Sequence, residues 1–250
     1  MSKEIISSLY DRKSVRVFNE KVIEDDVKNT LFECAFQAPT AGCQQLYTIL
    51  DITDAEVKAK LAVLCDNQPF IKKASMVVVF LADTERWLRL YSLAGETPRK
   101  PGVGDLMLAV SDANIAAQNM VVAAESLGIG SCYIGDVMEH CEGMRELLSL
   151  PNYVFPCAML VLGYHNNPKH KKPQRFAKEM IVMENNYTAI SDERMIELLS
   201  ERQRANSPNV SFDFNNYVGA FCKRKYESDF SLEMTRSVEQ YIKSFQAHEE

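Results

Sequence analysis

Three cations and a hydroxyl lie within five consecutive positions near the start of this sequence, at Arg12, Lys13, Ser14 and Arg16. Side chains alternate between the two faces of an extended segment, so Arg12, Ser14 and Arg16 share one side. Two guanidinium groups beside a hydroxyl suit a phosphate, whose oxygens accept bidentate charge-assisted hydrogen bonds. The segment therefore predicts a phosphate site, and a solvated basic turn is the alternative.

A second basic loop lies far along the chain and contains Lys172 and Arg175. If the fold brings the two loops together, their guanidinium and ammonium groups converge on one phosphate. The alternative is a solvated lysine-rich turn, and this is the interpretation that the sequence favours for Lys169 and Lys171.

The overall charge limits the kind of ligand. The 250 residues carry a formal net charge of −6, which argues against binding nucleic acid by bulk charge. A local basic cluster in an acidic protein instead indicates a small anionic ligand. With 46% hydrophobic residues, the chain can bury a full core in one large domain or two small ones.

The cysteines and the apolar segments bear on location. The seven cysteines are odd in number and include no CxxC pair, so we expect free thiols and no metal site. No unbroken apolar run reaches the roughly 18–20 residues that span a bilayer, and the first residues lack a signal-peptide pattern. These features predict a cytoplasmic protein without a membrane span.

Familiar catalytic motifs are missing from the sequence. It contains no HExxH, GxSxG or GxxxxGK[ST] motif, and its four histidines lie in polar stretches or at the chain end, so we expect them at the surface. No side chain is therefore assigned a catalytic role. A phosphate site without a protein acid, base or nucleophile indicates that a cofactor carries the chemistry.

The predicted elements mix helices and strands, with a boundary near residue 190 that separates a core, 1–190, from a helical extension, 191–250. Helices are predicted at residues 2–10, 24–37, 54–64, 106–127 and 140–148, and strands at 46–53, 74–82 and 156–163, with a further strand after Gly130. Small alanine side chains crowd the 106–127 helix. It suits a central core helix or a subunit interface equally well.

Four segments, in this order, resemble the signatures of the FMN-dependent nitroreductase family. Residues 12–18 resemble R-x-S-x-R-x-F, residues 38–45 resemble A-P-S-x-x-N-x-Q, residues 123–135 resemble A-A-x-x-L-G-L-G followed by Y-I-G, and residues 172–187 resemble K-P-R followed by V-H-E-N-x-Y. The resemblance covers about residues 5–187. The remaining tail resembles that of the larger, NADPH-preferring oxygen-insensitive subgroup, which includes NADPH–flavin oxidoreductases.

The resemblance implies a set of cofactor-binding residues. Those expected to hold the phosphate and ribityl chain of FMN are Arg12, Lys13, Ser14, Arg16, Lys172 and Arg175. Those expected beside the flavin ring are Thr40, Ala41, Gly42, Gln68 (at its pyrimidine edge), Tyr133, Ile134 and Gly135. In the tail, Arg202 and Arg204 are candidates for the 2′-phosphate of NADPH.

The resemblance also implies an architecture and an activity. The expected fold is α+β, with a central, mainly antiparallel sheet flanked by helices, in an intertwined homodimer. The expected activity is reduction of nitro compounds, quinones or similar electron-poor acceptors by ping-pong hydride transfer from NAD(P)H through FMN. The alternatives are a flavin reductase or reductive dehalogenase of the same fold, and a flavin-binding redox sensor without turnover.

Overall fold

Four strands form one antiparallel sheet in the computed structural model, which describes residues 2–166 and 172–246. They are β1 (Tyr47–Asp51), β2 (Met76–Asp83), β3 (Gly130–Ile134) and β4 (Val154–Gly163), in the spatial order β1-β2-β4-β3. Every residue of β2 and β4 is buried, as expected for central strands that are covered on both faces. The predicted α+β class with an antiparallel sheet is confirmed.

Helices account for most of the remaining described chain. They are α1 (Ser2–Asp11), α2 (Asp25–Phe36), α3 (Ala55–Leu64), α4 (Phe70–Lys73), α5 (Glu85–Leu93), α6 (Val103–Ser126), α7 (Cys141–Leu148), α8 (Lys178–Ile181), α9 (Asp192–Asn206), α10 (Phe214–Lys225) and α11 (Asp229–Gln246), with short 3₁₀ turns at Ala41–Cys43 and Asp136–Met138. Asp54 caps α3 by accepting hydrogen bonds from the backbone N–H groups of Glu56 and Val57.

The alanine-rich helix α6 packs against α2, β2 and β4 in the core. Its alanines at 109, 113, 116, 117 and 124 are fully buried, and their small side chains allow the sheet and α2 to approach closely. By length and composition alone α6 could cross a membrane. The sequence expectation overlooked this, because α6 contains no unbroken apolar run. Its buried contacts with the sheet identify it as a core helix.

The described chain divides into two compact units. Residues 2–166 and 233–246 form the first, and residues 172–232 form the second. In the first unit, the end of α11 is part of the core, where the buried rings of Tyr241 and Phe245 meet Phe155 and Tyr153 edge-on. The division into residues 1–190 and 191–250 remains a prediction.

The second unit contains α8, α9 and α10. Ser191 caps α9 by accepting the backbone N–H of Arg194, whose guanidinium pairs with Glu179 at 2.7 Å and also with Glu197. Three aromatic rings, at Phe212, Tyr217 and Phe221, lie in contact along α10 and the segment before it.

Candidate functional site

The cationic segment runs extended beside β3. Ser14 forms an isolated parallel bridge with Ser131, and the backbone N–H of Val15 donates to the Ser131 carbonyl at 2.9 Å. Val15 is buried, whereas its neighbours Ser14 and Arg16 are exposed. The alternation of faces that the sequence predicts is therefore observed around this bridge.

Gly130 allows this close approach. A Cβ atom at this position would lie 2.6 Å from Cδ2 of His165 and 2.7 Å from Cγ2 of Val15, which is closer than carbon atoms approach without displacement. A glycine at the start of β3 therefore lets both the cationic segment and His165 lie against the strand.

Three buried polar atoms around the bridge have no hydrogen-bond partner in the part of the chain that the structure describes. They are Nη1 of Arg12, Oγ of Ser131 and Nδ1 of His165. A buried polar group without a partner costs about 1–3 kcal/mol, and more when it is charged. The arrangement fits an oxygen-rich anion such as a phosphate, which would accept hydrogen bonds from these groups.

The charges of the segment act on neighbouring groups. Burial raises the pKa of Glu125 on α6, while Arg12 and His165 act in the opposite direction. Burial also raises the pKa of Tyr133 to about 12, against the effect of Arg12. Arg12 therefore lies close enough to both α6 and β3 for its charge to act on residues of each.

The position of His165 corrects one sequence expectation. The four histidines were expected at the surface, but His165 is half-buried, with a buried ring nitrogen beside Gly130. The cause is tertiary, because the space that the glycine leaves open is filled by the histidine ring. His170 and His248 lie outside the described residues.

The loop that contains Thr40, Ala41 and Gly42 is held by Asp112, a residue of α6 that is only 3% exposed. The Asp112 carboxylate accepts the Thr40 hydroxyl, the Ala41 N–H at 3.0 Å and the Leu46 N–H at 3.2 Å. Three donors from one loop therefore converge on a single buried carboxylate. The hydroxyl of Thr40 therefore points towards α6.

The backbone of this loop adopts an unusual conformation. Gly42, Cys43 and Gln45 have φ angles of 56°, 58° and 50°, in the left-handed region. Glycine adopts this region without strain, while the other two residues do so at a cost that Asp112 helps to offset. Gly42 and Cys43 are exposed, so the tip of the loop is open to a ligand.

The remaining predicted residues of the first unit are Gln68 and those at the end of β3. The side-chain amide of Gln68 donates to Asp136, which follows the exposed Gly135. The Tyr133 hydroxyl donates to Gln118 on α6 at 3.3 Å. The Ile134 side chain is buried, and the residue pairs with Met159 of β4.

The other predicted residues lie in the second unit. Arg202 stacks over the Phe176 ring at 4.3 Å and donates to the Gln174 carbonyl at 2.9 Å, while Arg204 is exposed in the last turn of α9. Lys172 and Arg175 precede α8. Their convergence with Arg12 and Arg16 remains a prediction, and Lys169 and Lys171 lie outside the described residues.

Sequence reasoning missed three acidic residues with structural roles near the site: Asp112, Asp136 and Glu139. A signal for Asp112 was present, because it lies in the apolar stripe of α6, three residues after Ala109 and four before Ala116. A charged residue on a buried stripe requires hydrogen-bonding partners. No comparable local pattern indicated Asp136 or Glu139.

The fold and the site define an α+β protein with a cationic segment beside an edge strand of its antiparallel sheet. Residues 9–164 match the model of the nitroreductase family. The chain is 34% identical over 190 residues to an FMN reductase (NADPH) of Bacillus subtilis, covering 75% of this chain and 76% of that protein. It is 31% identical over 247 residues to a Cr(VI) reductase of Pseudomonas sp. strain G-1, covering 99% and 97%.

A solved structure agrees with these relatives. The structure of the NfrA1 nitroreductase from B. subtilis superposes with a TM-score of 0.79 at 29% identity, covering 94% of this chain and 98% of that one. The chain belongs to the nitroreductase family. The resemblance, the nitroreductase-like fold and the oxidoreductase class that the sequence predicts are confirmed.

The loop held by Asp112 gives a first testable prediction. In Asp112→Asn the amide NH₂ group must face one of three converging donors, so we expect the unfolding free energy to fall by about 1.5–3 kcal/mol, the scale of one charge-assisted hydrogen bond. Urea unfolding measures this change. Asp51→Asn, at the exposed end of β1, is the matched control and should change stability by less than about 0.5 kcal/mol. Equal losses in the two variants contradict the tethering role.

Proposed function

We propose that this chain is an FMN-dependent NAD(P)H oxidoreductase that reduces nitro compounds, quinones or similar electron-poor acceptors. The observation that carries the proposal is the unpartnered, buried Nη1 of Arg12 beside the Ser14–Ser131 bridge. A phosphate supplies the oxygens that this group lacks in the described chain. Two findings support FMN as the ligand whose phosphate binds here. The chain belongs to the nitroreductase family, and one relative is named as an FMN reductase of B. subtilis.

The residues of the first unit divide between the two ends of the cofactor. Arg12, Ser14 and Arg16 bind the phosphate and ribityl chain, with the backbone of Lys13 beside them. The ring lies along the loop tip at Thr40, Ala41 and Gly42, and against Gln68, Tyr133, Ile134 and Gly135. We assign Lys172 and Arg175 of the second unit to the same phosphate.

FMN, when bound, supplies two-electron redox chemistry between a nicotinamide and an acceptor. The protein's own contribution is binding and orientation. Asp112 fixes the loop that faces the ring, the cationic segment neutralises the phosphate, and exposed backbone at Gly42 and Gly135 offers polar contacts. No side chain needs to act as a catalytic acid or base.

The relatives' names favour a second acceptor class. One relative is named as an FMN reductase (NADPH) and another as a Cr(VI) reductase, so the acceptor differs among proteins that match this chain over most of its length. Free flavin is therefore the second candidate acceptor. The reductive dehalogenase and the redox sensor without turnover are the remaining alternatives.

We assign the protein to the cytoplasm as a homodimer. Its seven cysteines are all free, as in a reducing compartment. Large apolar side chains are exposed on α1, at Ile5 and Ile6, and on α6, at Met107 and Leu108. Such exposed apolar surface is typical of a subunit interface. It supports the interface role that the sequence left open for α6.

The spectrum of the purified protein tests the proposed activity. We expect yellow protein that bleaches when NADPH is added under nitrogen and regains its colour when a quinone or nitro compound follows. Colour that NADPH does not bleach favours the redox sensor. Colourless protein that takes up no added FMN contradicts the proposal.

The phosphate assignment predicts the effect of Arg12→Ala. We expect FMN binding to weaken by about 1.5–3 kcal/mol, the scale of hydrogen bonds to a charged group. The FMN-free protein should not lose stability, since the substitution removes a partly unpaired buried cation. Fluorescence quenching of FMN and thermal unfolding measure the two quantities. Arg89→Ala, exposed on α5, is the control, and unchanged FMN affinity in Arg12→Ala refutes the assignment.

The tail arginines predict a donor-specific effect. Arg204→Ala should raise the KM for NADPH more than the KM for NADH, because only NADPH carries the 2′-phosphate that an exposed guanidinium can bind. Steady-state kinetics with both donors measure this, with Arg89→Ala again as the control. Equal changes for the two donors remove Arg204 from this role, and Arg202→Ala tests its neighbour in the same way.

A further inference from the structure

Three carboxylates lie together beyond the carboxyl end of β3. Asp66, Asp136 and Glu139 each offer one oxygen, and the three oxygens lie within 4.8 Å of one another. Glu139 is only 1% exposed, and its Oε1 has no hydrogen-bond partner among the described residues. Like charges this close, with one of them buried, strongly disfavour full ionisation.

The surroundings of Glu139 are acidic. Burial, followed by the charges of Asp66, Asp136 and Glu233, raises the pKa of Glu139 to about 8. The Cys65 thiol, whose pKa is also raised by burial, faces the same cluster. Glu233 is already engaged, because it pairs with Arg236 at 2.8 Å and accepts the His140 N–H at 3.1 Å. Burial and the neighbouring carboxylates therefore favour the protonated form of Glu139, which can donate to Asp136.

The cluster is joined to the candidate site through Gln68. Its Nε2 donates both to the Cys65 carbonyl, at 3.0 Å, and to the Asp136 carboxylate. Both amide hydrogens are thus used, and a rotated amide would place Oε1 against two acceptors. The orientation of Gln68 is therefore fixed, and its Oε1 has no partner within the described part of the chain.

Gln68 is linked to the surroundings of the cationic segment by two contacts. Its partner Asp136 follows the last residues of β3, the strand whose beginning pairs with Ser14. Two residues beyond Gln68, the Phe70 ring lies 6.0 Å from the Arg16 guanidinium. Gln68 and the cationic segment are therefore connected through β3 and through the Phe70–Arg16 contact.

We propose that Glu139 and Asp136 share a proton and thereby hold Gln68 with its carbonyl oxygen towards the flavin, where it accepts the imide N–H of the pyrimidine ring. This assignment rests on the proposed use of FMN. Asp136 and Glu139 are positioning residues, because they act on the flavin only through Gln68. Loss of the shared proton makes Asp136 and Glu139 repel each other and releases Gln68, so FMN affinity falls as the pH rises.

Glu139→Gln tests the proposal, since a glutamine donates to Asp136 at every pH. In the wild type we expect FMN affinity, measured by fluorescence quenching, to fall about tenfold between pH 6 and 9, the worth of one hydrogen bond. In Glu139→Gln the affinity should stay constant over this range. The matched control, Glu146→Gln, makes the same chemical change at an exposed position of α7 and should follow the wild type.

Thermal unfolding without FMN tests the shared proton separately. A carboxyl with a raised pKa binds its proton more tightly in the folded state, so the wild type loses stability as the pH rises from about 4.5 to about 8. Glu139→Gln abolishes this loss. We expect it to melt at least about 3 °C above the wild type at pH 9 and close to it near pH 5.

Each other outcome has a defined meaning. Parallel pH profiles of FMN affinity in wild type and Glu139→Gln overturn the positioning role, even if the activity is confirmed. Absence of FMN binding at any pH overturns the proposed function together with the flavin part of this proposal. A melting temperature that millimolar MgCl₂ raises in the wild type but not in Glu139→Gln overturns the shared proton in favour of a bound cation.

Discussion

The site depends on a single close contact between the start of the chain and β3. The Ser14–Ser131 bridge and the Val15–Ser131 hydrogen bond fix an extended segment whose apolar residue must point inwards. Because side chains alternate, burial of Val15 forces Ser14 and Arg16 outwards. Gly130 makes the contact possible by leaving room for Val15. The placement of the cations is thus a consequence of where one valine is buried.

Local patterns in the sequence predicted the features that depend on neighbouring residues. The 3.6-residue apolar spacing located α2, α3 and α6 to within a few positions, and the apolar run at 74–82 located the central strand β2. The alternation of buried and exposed side chains around Val15 follows from the two-residue period of an extended segment alone. The mixed composition of residues 83–104 indicates a variable helix and loop without defined bounds. The structure has α5 there, and because none of its residues is buried, no apolar stripe marks where it begins and ends.

Features that depend on distant residues could not be predicted in this way. His165 was wrongly expected at the surface, because nothing near it in sequence shows the space beside Gly130. The raised pKa of Glu139 depends, besides burial, on Asp66, which precedes α6 in sequence, and on Glu233 in α11. Asp112 is an intermediate case. The sequence shows that it lies on the apolar stripe of α6, but it does not show that its hydrogen-bond partners lie in the 40–46 loop.

The two ends of β3 differ in charge, and this difference bears on the orientation of a ligand. Arg12 precedes the Ser14–Ser131 bridge at its beginning, whereas Asp136 and Glu139 follow its end. An anionic group is attracted to the first end and repelled from the second, while a neutral ring with an N–H donor finds an acceptor at Gln68. A proton on Glu139 lowers the negative charge at the ring end, which allows an electron-accepting ring to gain charge there. Under the proposed assignment, the carboxyl pair that orients Gln68 therefore also affects the electrostatic cost of reducing a flavin ring bound beside it.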